Sequence, residues 1–406
     1  MFPYFLMAIL YLSLAVLEAL DASFVSLRLL PWFNGMRWLR VHLITLGVLT
    51  QVLFSLMPML VAIRHRLPRP HFRWSIWLTL NAGILTLLVG IPLVNIVPIL
   101  GGGTLVFIAT ALLVAQLSGM KPTEGSADNA AHAGRKFYIA GLGYFLLGII
   151  VGTGMWIGWA ETLHIAAPVE VHIHANNWGL ISLVFAGLLV DMYPVWAKRP
   201  FANPQSVNFI FWGMVIGALG LIFGPWFQLK WLLVPGLLLH LAATIWLLVN
   251  IIKPLWGERR TWAPGIWHLF LSYFWILAPV AAAPLVLFKI PGIPAGTIET
   301  TAPQALIYGW LLQFGFAVIP FFFVRLFQPD KPSQLGGTWL SLVLINLGGV
   351  FLWASIFIAP AQGILHGIAY LWWTAAMLPV VSQLWHIVRA GLARYESQSE
   401  LEAIGL

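Results

Sequence analysis

Eleven histidines and thirteen carboxylates are spread over a 406-residue chain, and a few of them stand where their chemistry matters. Glu161, His164, Glu170, His172 and His174 crowd one short segment. Imidazoles and carboxylates together suit Cu or Zn, with His172, His174 and Glu170 as the expected ligands. The two-residue spacing of His172 and His174 suits an extended segment rather than one helix face. The bland alternative is a solvated loop whose Glu and His meet only water. His42, His240, Gln304 and His366 lie in or at the ends of apolar runs. An ionisable group near mid-membrane is a functional candidate by default, although one interhelical hydrogen bond can satisfy a neutral His. His240 is the one expected nearest the middle. Glu18, Asp21 and Asp191 are carboxylates at membrane depth and so possible proton-relay members. For Asp191 the plainer expectation is solvation or pairing near Lys198. Asn176 and Asn177 also need partners, which points to a polar cavity.

What must position these residues is helical and membrane-bound. Of the chain, 60% is hydrophobic and 8% charged, and the mean hydropathy is +0.90. Soluble domains carry about 25% charged residues. A lipid-spanning helix needs roughly 20 apolar residues, and such stretches start near Met1, Val41, Trp74, Ile96, Phe137, His174, Val207, Trp231, Pro264, Ala302, Trp339 and Gln362. A β-barrel would need strict apolar/polar alternation, which these runs lack. The expected fold is therefore all-α, a polytopic protein of about twelve transmembrane helices, numbered here 1 to 12, lying in a lipid bilayer.

With the N-terminus in the cytoplasm, 16 of the 21 Lys and Arg fall in inner loops. The outer loops keep Arg28, Arg37, Arg40, Lys230 and Lys289. Cytoplasmic loops carry the Lys/Arg excess, so both termini are expected there. The net charge of +8 then reflects topology, and no soluble basic domain exists to bind nucleic acid. His65, His71, His132, His268 and His386 read as interfacial on that side. Without Cys there are no disulfides, thiolate sites or Cys-held iron–sulfur clusters. Helix 1 reads as a retained span rather than a signal peptide. The stretch Lys121–Lys136 reads as a polar loop, and Tyr395–Leu406 as a short frayed tail.

A repeat runs through this array. Helices 2, 6 and 10 open with His42…Gly47, His174…Gly179 and Gln304…Gly309, separated by 132 and 130 residues, and reach Pro58, Pro194 and Pro320. Gly to Pro spans 11, 15 and 11 residues; the extra four are about one turn, which keeps Pro on a similar face. Gln51 and Gln313 each follow their Gly by four. Leu239-His240 in helix 8 matches Leu365-His366 in helix 12, with Phe107 near the equivalent place in helix 4. One membrane domain over 1–406 is expected, with repeats at about 1–120, 137–253 and 263–390, each a block of four helices.

Twelve helices in pseudo-threefold blocks, with His at the outer ends of helices 2 and 6, resemble subunit I of the haem–copper oxidases. The stretch from His172 to Pro194 resembles helix 6 of divergent branches, and is similar to the NnrS-type membrane proteins linked to nitric oxide stress. The likeness covers nearly the whole chain in architecture, and its local motifs are short. It implies haem b, copper at helix 6, a prokaryotic cytoplasmic (inner) membrane, and association with other respiratory or electron-transfer subunits. In the family, His residues of helices 2 and 10 hold a low-spin haem. Helix 10 here has no His: Gln304 and Tyr308 stand where imidazoles are expected, and the His pair between helices 7 and 8 is missing. The family's complete oxygen- or nitric oxide-reducing centre cannot be built from these residues.

The expected function is thus haem binding with a redox role, either electron transfer or handling of a diatomic gas such as nitric oxide. His42 and His366 are the expected haem ligands, with His240 as a further cofactor candidate. Against this, both outer imidazoles can simply cap helices at the interface. The rival function is a transporter or non-catalytic membrane subunit built on the same repeat. A copper-handling protein without haem is the third possibility.

Overall fold

The computed structural model describes residues 2–23, 36–121 and 133–403, with side chains for 3–23, 38–121 and 134–394. Arg28 and His132, and most of the expected polar loop, lie outside the described residues, as does the Arg37 side chain. Every regular element among the described residues is helical. Eleven helices are long and apolar enough to cross a membrane, and Trp74–Gly90 is a shorter apolar helix. In chain order they are α1 Pro3–Asp21, α2 Trp38–Arg64, α3 Trp74–Gly90, α4 Ile96–Gly119, α5 Gly134–Trp156 and α6 Pro168–Ala197. They continue with α7 Pro204–Phe227, α8 Lys230–Thr261, α9 Pro264–Leu287, α10 Ala295–Phe327, α11 Trp339–Phe357 and α12 Ala359–Arg394. All twelve expected stretches are helices.

The boundaries differ from those expected in two ways. α2, α6 and α10 begin well before His42, His174 and Gln304, so these residues sit a turn or more inside their helices. The last helix also runs on to Ala403, where a frayed tail was expected.

The chain divides into two compact units. The first comprises Met1–Leu12 and Trp32–Gly257, the second Ser13–Pro31 and Glu258–Leu406. The division after Gly257 falls between the second and third expected repeats. In the first unit, α3 packs along α4 and α7 along α8, while α5 packs on α6; in the second, α11 packs along α12 and α9 on α10. Glycines set the closest approaches. A Cβ at Gly83, Gly217 or Gly348 would lie under 3.0 Å from Val106, His240 or Trp373 of the next helix. His240 and Trp373 are each the residue that a glycine of the preceding helix meets.

α2, α6 and α10 share an irregularity. Each contains a seven-residue π-helical stretch: Leu43–Leu49, Ala175–Ile181 and Leu306–Leu312. π-helical insertions widen the turn and are frequent at functional sites. Each stretch holds a glycine pressed against an aromatic residue of the preceding helix. A Cβ at Gly47, Gly179 or Gly309 would lie under 3.0 Å from Tyr11, Tyr144 or Trp275. The polar edge of each aromatic reaches the third helix of its group: Tyr11 Oη donates to Asn81 Oδ1, Tyr144 Oη to the Val215 carbonyl, and Trp275 Nε1 to Asn346 Oδ1. Gly309→Ala should therefore cost about 1–3 kcal/mol, the range for overpacking. A lowered thermal midpoint in detergent would register it; an unchanged midpoint would mean the ring moves aside freely.

In the second unit, Ala282, Ile298, Ala302 and Ile356 form a buried apolar cluster. Two histidines read as interfacial from sequence, His65 and His268, are buried. His268 is held by Ser341 Oγ at 2.9 Å and the Thr338 carbonyl at 3.3 Å.

Candidate functional site

Pro168 opens α6 with the pre-set φ that a first helical turn requires, so His172 and His174 are helical rather than extended. Two residues apart on a helix, they face different neighbours. His172 Nδ1 lies 2.8 Å from the Gly148 carbonyl of α5, and His174 Nδ1 lies 2.6 Å from the Leu221 carbonyl of α7. A carbonyl only accepts, so each imidazole carries its proton on Nδ1 and leaves Nε2 as a bare lone pair. Glu170, Glu161 and His164 are exposed. Among the described residues no three His, Asp or Glu side chains gather to hold a metal ion. His172, His174 and Glu170 are thus not brought together as one site.

His172 is instead brought to His42. Their ring centres are 6.2 Å apart and their planes differ by 24°. His42 Nδ1 lies 2.8 Å from the Trp38 carbonyl, so it too exposes Nε2. Trp38 stacks on the His42 ring at 4.3 Å and 16°. Neither Nε2 has a hydrogen-bond partner among the described residues. α5 makes room for the pair. A Cβ at Gly152 would lie 2.7 Å from His172 Nδ1, and one at Gly148 would lie 2.6 Å from Asn176 Nδ2. Asn176 Nδ2 itself donates to the His172 carbonyl at 2.8 Å. Sequence reasoning passed over Trp38, Gly148 and Gly152. The signals that point to them are the Trp-x3-His and Gly-x3-Gly spacings, each one helical turn.

His240 is fully occupied in structure. It is 1% exposed, and its Nε2 donates to the Trp178 carbonyl within the π-helical stretch of α6 at 3.1 Å. Thr244 Oγ1 lies 3.4 Å from its Nδ1. The interhelical hydrogen bond weighed against a cofactor role is the one present. His366 belongs to the second unit, where its ring lies 4.9 Å from Tyr370. Gln304 accepts a hydrogen bond from Tyr370 Oη, and Tyr308 stacks on Trp373 at 4.4 Å and 7°. Hydrogen bonding and ring stacking thus engage both Gln304 and Tyr308 of α10. The imidazole brought to His42 within its own unit is His172.

At the opposite end of α2, α5 and α6 lies a buried ionic group. Asp191, 3% exposed, accepts from Arg64 Nε at 3.3 Å and from Tyr138 Oη at 2.7 Å. Its partner is Arg64, 127 residues earlier, rather than the nearby Lys198. This carboxylate thus ties α6 to α2 and α5, while at the other end imidazole–carbonyl contacts tie α6 to α5 and α7.

Compared with protein-family models, curated proteins and solved structures, the chain matches none.

Proposed function

We propose that this chain is a haem-binding integral membrane protein with a redox role, and that His42 and His172 are the residues that would hold one haem b. The observation that carries this reading is the pair itself: two helix-borne imidazoles, 6.2 Å apart, each with Nδ1 fixed on a backbone carbonyl. Ligating His residues commonly donate their second ring N–H in this way, which fixes the ring and raises its basicity. Trp38 stacks against His42, and the bare Gly148 and Gly152 let Asn176 and His172 pack directly on α5. When bound, the haem supplies a one-electron couple set by its axial ligands and burial. Were both imidazoles to ligate the iron, they would leave it no open position for a gas. This favours electron transfer over reduction of oxygen or nitric oxide.

The wider setting belongs to the same proposal. The π-helical stretches, the glycine–aromatic contacts and the glycine-packed hairpins recur three times, which supports three related blocks on the plan of haem–copper oxidase subunit I. In that plan the Arg-rich ends face the cytoplasm of a prokaryotic cell, and electrons are exchanged with other respiratory subunits. Copper is not carried forward, because His172 and His174 diverge. The test is an absorption spectrum of the detergent-purified protein, oxidised and dithionite-reduced, with metal analysis alongside. A Soret band with sharp α and β bands on reduction, and one iron per chain, is the expected result. A featureless spectrum without metal removes the redox reading and leaves a transporter or structural subunit.

A further inference from the structure

Both imidazoles of the pair leave Nε2 clear through restraints on the rest of the ring, and the restraints differ. His172 is held from another helix. Its Nδ1 meets the Gly148 carbonyl at 2.8 Å, and a Cβ at Gly152 would lie 2.7 Å from both its Nδ1 and its Cε1. His42 is held from its own helix, by one residue. Trp38 supplies the carbonyl that His42 Nδ1 meets at 2.8 Å. It also lays its indole on the imidazole, with ring centres 4.3 Å apart and planes 16° from parallel. Side chains four apart on a helix are neighbours, so the Trp-x3-His spacing brings the two rings together. A single hydrogen bond fixes one atom of an imidazole and leaves its plane free to tilt. The indole face removes that freedom, and the two imidazole planes stand 24° from parallel.

The same contact acts on charge. An indole is negative on its face, and it is the aromatic group that attracts cations best. An imidazole that ligates a metal is more positive when the metal is oxidised. A stacked indole therefore stabilises the oxidised state more than the reduced one. A tryptophan that served only as an interfacial anchor would need no imidazole parallel to it. We propose that Trp38 is a positioning residue of this site: its indole fixes the His42 imidazole and lowers the reduction potential of the haem that His42 and His172 would hold. The inference rests on that haem-binding reading and adds to it a residue that acts through His42.

The test compares the full-length protein, purified in detergent with its haem, with Trp38→Leu, Trp38→Met and Trp38→Phe. Soret absorbance per protein gives haem content, and a redox titration followed at the α band gives the midpoint potential. Leu and Met remove the π face, whereas Phe keeps one. A ring pair of this kind contributes a factor of roughly two to ten. Trp38→Leu should lower haem retention by that factor and raise the midpoint by about 20–60 mV, a one-electron couple shifting about 59 mV per tenfold. Trp38→Met should do the same, and it carries the arm if Trp38→Leu does not fold. Trp38→Phe should restore most of both. A midpoint that is unmoved or lower in Trp38→Leu and Trp38→Met overturns the inference and leaves the haem pair standing. That holds even where thermal stability drops, because packing alone would do that. Trp38→Phe behaving like Trp38→Leu overturns it as well. Wild-type protein without haem ends the haem-binding reading and this inference together.

Discussion

His42→Ala and His172→Ala are each expected to strip the purified protein of its haem, while His366→Ala keeps it. Altering even the groups that orient a ligand lowers metal affinity about 10–100-fold; removing a ligand should do at least that. Soret absorbance per protein, measured after purification without added haem, gives the readout. His240→Ala is the control for a buried imidazole without a ligand role. It leaves the Trp178 carbonyl without its donor, so stability should fall by about 1–3 kcal/mol with haem content unchanged. The reverse pattern, haem lost in His366→Ala and kept in His172→Ala, would restore the ligand pair expected from sequence. It would reduce the His42–His172 contact to packing.

Arg64→Met should be the most damaging single change at the other end of the same helices. Asp191 is 3% exposed, and removing the cation leaves a buried carboxylate with Tyr138 as its remaining side-chain donor. Breaking a buried pair in this way costs about 3–5 kcal/mol. Asp191→Asn should cost less, because the Arg64 side chain is 24% exposed and its charged head can reach the membrane surface. Arg64→Met combined with Asp191→Asn should recover part of the loss, because no charge then stays buried. Unfolding monitored in mixed detergent micelles would order the three variants. Equal effects for both single changes would mean that the carboxylate is hydrated or protonated rather than paired.

The spans were legible because apolar length and Pro/Gly punctuation are local properties, and lipid admits few other ways to satisfy a backbone. Gly47, Gly179 and Gly309, which the expected repeat aligns, each lie in a π-helical stretch. What sequence did not carry was which helices touch. His42 and His172 are 130 positions apart, and neither spacing nor composition says that α2 faces α6 at that depth. The pairing of Asp191 with Arg64 was hidden likewise, and the nearer Lys198 drew the expectation. The His172/His174 error was local and avoidable. Pro168 and the acidic Glu170 in the first turn mark a helix start, which sets the two imidazoles on different faces.

The tie between Arg64 and Asp191 has a consequence for how the chain is made. A ribosome adding roughly 5–20 residues per second needs on the order of ten seconds to supply the 127 residues between them. Through that interval α2 is already in the bilayer, and its terminal cation has only headgroups and water for company. Emergence of α6 ends the wait, and the carboxylate then fastens a helix inserted several spans earlier. Slowing synthesis between the two residues lengthens the exposure of an unfinished subunit, during which quality-control proteases can act on it.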